Sequence, residues 1–178
     1  MFIVHGNIMA LYRYYPYSKG GERNPNFDRN CGKALDLKHY RQRAINNLVN
    51  ELNELVPKKT VICVVPSSKK GTGEKSGIGM VAYRLSKKGR IRGLNCIERI
   101  ESIRMVSIGG TRGPLIHETT INVKNEFIFQ NKEIWLLDDI VTTGNTLKVC
   151  AKKLIGKGAL KVQCLAVAAT VYEKELKG

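Results

Sequence analysis

The stretch IWLLDDIVTTGNT, residues 134–146, decides how this chain is read. Four large apolar residues, Ile134, Trp135, Leu136 and Leu137, stop at two adjacent acids, Asp138 and Asp139. Ile140 and Val141 lead into Thr142, Thr143, Gly144, Asn145 and Thr146, and a helix-like segment begins at Leu147. The pattern is a buried strand that delivers carboxylates to its C-terminal end, followed by a loop that opens a helix. Open α/β sheets bind ligands at that end of their strands. Backbone N–H groups at a helix start, aided by the helix dipole, suit a phosphate. The threonine and asparagine side chains add donors around the same anion, and the acid pair suits ribose hydroxyls or a hydrated Mg2+. A solvated acid pair before an ordinary helix cap would account for DD alone, but not for the whole ordered string. The combination asks for a phosphorylated sugar.

Periodicity on either side places this stretch in an α/β fold. Residues 2–17 are apolar and tyrosine-rich and read as one or two strands, with a polar loop over 18–30. Between 37 and 56, Ile45, Leu48, Val49, Leu52, Leu55 and Val56 recur at three- and four-residue steps, which predicts an amphipathic helix ended by Pro57. The β-branched run VICVV at 61–65 reads as a central strand of a parallel sheet. A helix over 76–88, a strand over 94–100 and a short strand over 127–129 follow. After the acid pair, Leu147, Cys150, Ala151, Leu154 and Ile155 predict a helix stopped by Gly156 and Gly158, and 160–171 reads as the last strand. Residues 101–120 hold glycines and charges without a sustained period and read as a flexible loop. The order predicts a mostly parallel central sheet flanked by helices. No repeat or linker divides the 178 residues, so one domain is expected, with 1–36 as an N-terminal strand and loop extension.

Composition bounds the function classes. Hydrophobic content of 43% and charged content of 25% are those of a globular chain with a real core. No apolar stretch approaches the roughly 18 residues of a membrane span, and the N-terminus lacks a leader-like basic region and cleavage site, so a cytoplasmic protein is expected. Five cysteines, at 31, 63, 96, 150 and 164, form no CxxC pair and read as buried reduced thiols. The glycine strings GTGEKSGIG and GGTRG do not give GxGxxG between a strand and a helix, and no GxxxxGK[ST] occurs. The net charge is +15 with a pI near 9.8. It concentrates in Lys69, Lys70, Lys75, Arg84, Lys87, Lys88, Arg90 and Arg92, and again in Lys148, Lys152, Lys153, Lys157 and Lys161. Such density could hold nucleic acid nonspecifically through its phosphates; a lysine-rich solvated surface is the plainer account.

All thirteen residues of 134–146 resemble the phosphoribosyl-pyrophosphate signature of type I phosphoribosyltransferases. The resemblance implies that Asp138 and Asp139 face the ribose hydroxyls, directly or through Mg2+, and that Thr142, Thr143, Gly144, Asn145 and Thr146 wrap the 5′-phosphate. Parallel strands end at one sheet edge, so Ser67, Ser68, Lys69, Lys70 and Gly71, which follow the strand at 61–65, are expected near the same sugar. They look like the loop that holds pyrophosphate in that superfamily. A narrower likeness to the ComF-like competence branch spans roughly residues 12–170. It rests on Asn122, Val123 and Phe127, and on Leu37, Lys38, Arg41, Arg43, Ala44 and Ile45 upstream. Thr119 stands where that branch has an arginine, and its paired CxxC zinc ribbon is absent. Arg99, Arg104, Arg112 and His117 are the candidates for the missing cation or for an acid or base.

The implied activity is transfer of a phosphoribosyl group from 5-phosphoribosyl 1-pyrophosphate, with Mg2+, to an unidentified nitrogen acceptor. The alternative is a non-catalytic phosphoribosyl-pyrophosphate sensor or nucleic-acid-binding regulator on the same fold, to which Tyr12, Tyr14, Tyr15 and Tyr17 could offer stacking faces. Pairing of two copies as a homodimer is left open.

Overall fold

The computed structural model describes residues 3–5, 7–103 and 114–171. A hairpin of β1 (Ile3–His5) and β2 (Ile8–Tyr14) comes first, then a two-residue ribbon of β3 (Ser18–Lys19) and β4 (Glu22–Arg23). Helices α1 (Arg29–Lys38) and α2 (Gln42–Leu55) lead to β5 (Val61–Val64), α3 (Gly77–Ser86) and β6 (Ile91–Arg92). Next come β7 (Ile97–Arg99), α4 (Pro114–Thr120) and β8 (Ile121–Val123). The last elements of the described residues are β9 (Glu133–Val141), α5 (Asn145–Gly156) and β10 (Lys161–Thr170).

Six strands form the main sheet in the order β1-β2-β10-β9-β5-β6. Every neighbouring pair is parallel except β1 with β2. Alternation along the strands sends side chains into two cores. Ile134 and Leu136 of β9 and Cys63 of β5 pack with Leu147, Cys150 and Leu154 of α5, and Ile97 and Ile121 join them. Trp135, Leu137, Ile62 and Val64 pack on the other face with Leu48 and Leu52 of α2 and Val81 and Leu85 of α3. The α/β fold with a mostly parallel sheet flanked by helices is therefore as the sequence predicts.

Strand order matters for function. From β5 the chain moves outward to β6, then returns to the opposite side of β5 with β9 and continues to β10. The gap between the C-terminal ends of β5 and β9 is thus the topological switch point, where such sheets leave a crevice.

Four expectations need correction. The helix expected over 37–56 is two helices, because Tyr40 takes a left-handed φ of 61° between α1 and α2. Helix α1 starts inside the expected N-terminal loop, capped by Asp28, whose Oδ1 accepts the Cys31 N–H at 2.8 Å. The strand expected at 127–129 is a 3-10 turn, Glu126–Ile128, entered through Asn125 at φ 56°. The loop expected over 101–120 contains α4 at its end; residues 104–113, with Arg104 and Arg112, lie outside the described residues. The strand expected over 94–100 does form, as β7, but it pairs antiparallel with β8 outside the main sheet.

Close packing explains part of the glycine-rich string. A Cβ on Gly77, at the start of α3, would lie 1.9 Å from the Leu37 carbonyl oxygen, so α1 and α3 touch through backbone. Gly32, inside α1, has open space where a Cβ would go. Gly32→Ala is expected to stabilise the fold by about 0.5–1 kcal/mol through helix propensity. Gly77→Ala should destabilise it by roughly 1–3 kcal/mol through overpacking. Urea midpoints of the two variants moving in the same direction would refute this account.

Candidate functional site

Strand β9 outruns its neighbour. Its register with β5 ends at the Val64–Leu137 pair, and one last rung follows, from the Val65 N–H to the Leu137 carbonyl at 3.0 Å. On the other side β10 stays paired as far as Val141. Asp138 and Asp139 therefore lie on a stretch bounded on one side only, facing the crevice. The Asp139 N–H is taken by Asp138 Oδ1 at 2.9 Å, and the Ile140 N–H by Asp139 Oδ1 at 2.7 Å.

Alternation gives the two acids different faces and different surroundings. Asp138 shares the α5 side with Cys150 and Cys164. Burial, and then the Asp139 charge, push its carboxyl well above the usual carboxylate range; the Asp139 N–H and Lys38 pull the other way. Burial and then the Asp138 charge raise the Cys164 thiol to about 11. Cys150 is held up by the same two causes. All five cysteines are buried and unpaired, so no thiolate nucleophile is built at this site. Asp139 lies toward Tyr14, whose phenol is held above its ordinary value by burial, by Cys31 and by the Asp139 charge.

The loop after β9 turns through Gly144, which has φ 73°. A Cβ there would meet only the tip of the Ile8 side chain, Cδ1 at 2.5 Å, so it is the backbone conformation that calls for glycine. Gly144 is the N-cap of α5 and has no side chain to cap that end; the Asn145 N–H is met instead by Thr143 Oγ1 at 3.5 Å. Thr142 and Thr143 are exposed, while Asn145 and Thr146 are half-buried.

Ser67, Ser68, Lys69, Lys70 and Gly71 leave β5 on the other bank of the same crevice. Ser67 Oγ accepts the Lys69 N–H at 3.2 Å and Ser102 Oγ accepts the Lys70 N–H at 2.9 Å. The Ile103 N–H donates to the Ser68 carbonyl at 2.8 Å. Gly71, at φ 126°, exchanges two backbone bonds with Arg99, at 2.9 and 2.8 Å. The loop is thus braced from behind, with the Lys69 and Lys70 side chains exposed in front.

The brace itself is the part of the site that was not ranked from sequence. Arg99 is 2% exposed, and His117 and Thr120 of α4 are buried beside it. Arg99 Nε donates to the Ser67 carbonyl at 2.6 Å and one terminal nitrogen donates to Thr120 Oγ1 at 2.6 Å. The other lies 3.5 Å from His117 Nδ1, and His117 Nε2 lies 3.5 Å from Thr146 Oγ1. Thr119, at the position of the absent arginine, is exposed and its hydroxyl bonds back to the Leu115 carbonyl at 3.2 Å. Asn122 and Val123 build β8, and Phe127 is exposed in the 3-10 turn, so these flanking matches do not reach the crevice.

No protein-family model and no curated protein matches the chain. Among solved structures it is similar to an orthorhombic crystal form of a hypoxanthine phosphoribosyltransferase from Staphylococcus aureus. That similarity has 12% identity and a TM-score of 0.44, over 79% of this chain and 76% of that one. A tetragonal form of the same enzyme gives 15% identity and a TM-score of 0.45, over 79% and 75%. Neither overlap reaches a TM-score of 0.5, so the reading of the site rests on its residues.

The donor set also bears on Mg2+. Among the described residues no three His, Cys, Asp or Glu side chains cluster as a metal cage. Two adjacent carboxylates suit instead an ion that keeps several waters and takes its remaining oxygens from a substrate, which is the habit of Mg2+. No described helix is long and apolar enough to cross a membrane. A cavity of about 520 Å3 opens beside α1, with Arg23, Arg29, Lys33 and Arg43 in its lining, away from the acid pair.

The raised Asp138 carboxyl has a stability consequence. Because the folded chain holds that proton more tightly than the unfolded chain, its favourable contribution is present at low pH. It is lost as pH rises from the ordinary carboxylate range through the raised folded value. Asp138→Asn should therefore melt higher than the parent at neutral pH, by about 2–4 °C for each kcal/mol recovered. The gap should close toward pH 4. Melting curves with no gap, or with one that widens in acid, would contradict the burial of this charge.

Proposed function

We propose that the chain is a phosphoribosyltransferase that binds 5-phosphoribosyl 1-pyrophosphate with Mg2+ and passes the phosphoribosyl group to a nitrogen acceptor. The observation that carries this reading is the crevice between β5 and β9. An acid pair lies on one strand there, flanked by two loops that offer backbone N–H groups, hydroxyls and lysines. The resemblance of residues 134–146 to the family signature supports the same assignment.

In this reading the turn of Thr142, Thr143, Gly144, Asn145 and Thr146 holds the 5′-phosphate at the start of α5. Asp138 and Asp139 hold the ribose 2′- and 3′-hydroxyls, and would be the residues to hold Mg2+, directly or through water. Bound there with the diphosphate, Mg2+ would supply charge neutralisation to the leaving group. Lys69 and Lys70, with the hydroxyls of Ser67 and Ser68, take up the charge that grows on pyrophosphate as the C1–O bond breaks, while Gly71 spends its N–H on the Arg99 carbonyl and shapes the turn. The acceptor nitrogen forms the new bond to C1 with its lone pair, and pyrophosphate departs with the electrons of the old one. The carboxylates below the ring favour the positive charge that C1 and the ring oxygen carry between those events.

Titration calorimetry with phosphoribosyl pyrophosphate and Mg2+ should give saturable heat for the parent chain. Asp138→Ala/Asp139→Ala should weaken binding by at least about tenfold, the equivalent of roughly 1.4 kcal/mol. A parent chain without binding ends the reading. Pyrophosphate release across a panel of nucleobases and amines would then identify the acceptor.

One observation favours a second activity on the same chain, retention of nucleic acid. A groove of about 500 Å3 between α2 and α3 is lined by Asn46, Val49, Asn50, Arg84, Lys87 and Lys88, with no acid among them. Arg84 is held there by amides, at 2.8 Å from Gln42 Oε1 and in contact with Asn46 Oδ1, and not by a carboxylate. Tyr12 and Tyr17 are committed elsewhere, to Glu51 and to Phe27, so this reading rests on phosphate contacts. The affinity for single-stranded DNA should fall steeply with salt. The triple change Arg84→Gln/Lys87→Gln/Lys88→Gln should flatten the log–log slope by about 2. An unchanged slope would remove the groove from consideration.

A further inference from the structure

We propose that Arg99 and His117 form a positioning relay that turns the hydroxyl of Thr146 into a dedicated donor for the anion at the start of α5. The inference rests on the phosphosugar reading of that site, and two of its three residues, Arg99 and His117, lie outside the signature at 134–146.

The argument is a count of protons. A guanidinium can only donate, so a hydrogen bond across the 3.5 Å between Arg99 and His117 Nδ1 requires the imidazole nitrogen to accept. An imidazole that accepts at Nδ1 carries its proton on Nε2. Nε2 faces Thr146 Oγ1 at 3.5 Å, so the hydroxyl oxygen is the acceptor there. Its own proton is then directed away from His117. Thr146 is the second residue of α5, half-buried beside the turn at Gly144, where donors are wanted.

Arg99 is itself held so that this direction is fixed. The Thr120 hydroxyl donates its one proton to the Ile116 carbonyl at 2.5 Å, which leaves its lone pairs for Arg99 at 2.6 Å. The Ile100 N–H donates to the Thr120 carbonyl at 2.8 Å, locking α4 to β7. Arg99 Nε donates to the Ser67 carbonyl, so the same guanidinium braces the loop on the opposite bank of the crevice. Burial makes the arrangement stringent, because a donor facing a donor at this site would be costly. One buried cation thus sets the backbone of the 67–71 loop and the proton of Thr146 together.

Two measurements test the relay. Long-range 1H–15N correlation spectra of the intact chain at neutral pH should show His117 protonated on Nε2 and bare on Nδ1. Calorimetry with ribose 5-phosphate should then separate the His117 variants. In His117→Gln the amide nitrogen can still donate to Thr146, and affinity should stay near that of the parent. His117→Leu should lose about tenfold, the expected cost of misdirecting one hydrogen bond to a charged group. Thr146→Val should lose as much, and the double variant His117→Leu/Thr146→Val no more than either alone. Pyrophosphate affinity, measured separately, should not change in the His117 variants, which a general loosening of the fold would not allow. A proton on Nδ1, a doubly protonated ring, equal losses in the Gln and Leu variants, or additive losses would overturn the relay alone. A parent chain that binds no ribose 5-phosphate would overturn the phosphosugar reading, and the purpose of the relay with it.

Discussion

β9 has a neighbour on both sides only as far as Leu137, and the site depends on that asymmetry. A carboxylate inside a sheet flanked by helices would be strongly penalised, because its charge would be cut off from water. Here β5 makes its last bond at Val65, and Pro66, with fixed φ and no donor, follows as the chain leaves the ladder. β9 runs on for four more residues with β10 as its sole neighbour, so the acids are half-buried and open to one side. The reversal of strand order about β5 is what keeps another strand from filling that side. The crevice and the two loops at its edges are one consequence of topology, reached before any side chain is chosen.

The second constraint is the buried Arg99. A guanidinium at 2% exposure needs its donors used, and the fold answers with carbonyl, hydroxyl and imidazole acceptors drawn from two separate segments. Those segments are the loop after β5 and the helix α4, whose His117 reaches on to Thr146 at the start of α5. Their common partner ties elements that have no strand pairing with one another. The small β7–β8 ribbon is therefore a bracket that carries Arg99 inward, and its packing against α5 keeps the bracket in place.

Much of this was legible in the sequence, and the failures have physical reasons. β5, α3, α5 and β10 stand within a few residues of where periodicity puts them, since each buries a face with an unmistakable period. Helix α1 escaped because its buried residues, Cys31, Ala34 and Leu37, include two small ones that hardly mark a stripe. The break at Tyr40 demands a left-handed residue that no glycine announces. β7 shows the limit of pattern reading. The strand expected over 94–100 forms only over Ile97–Arg99, and the pattern carries no information about its partner, which is β8. The same alternation put Arg99 on the face of buried Ile97, a signal for an interior cation that was open to reading. His117 gave no such signal, because its position depends on a helix at 114–120 that lacks a sustained apolar period.

The electrostatics of Asp138 bear on which part of the site stability alone could explain. A carboxylate kept mainly for the fold would gain more from its partners than it loses by burial, and its proton would come off more readily than in the unfolded chain. Asp138 shows the reverse: burial and the neighbouring Asp139 outweigh the bond from the Asp139 N–H and the attraction of Lys38. Asparagine would keep the hydrogen bond and remove the penalty, so the charge itself is what the fold tolerates at a cost. A ligand that brings positive charge or hydroxyl donors into the crevice offsets that cost on binding. Ribose hydroxyls do so by hydrogen bonding, and a hydrated cation by attraction. An uncharged apolar ligand would leave the penalty in place.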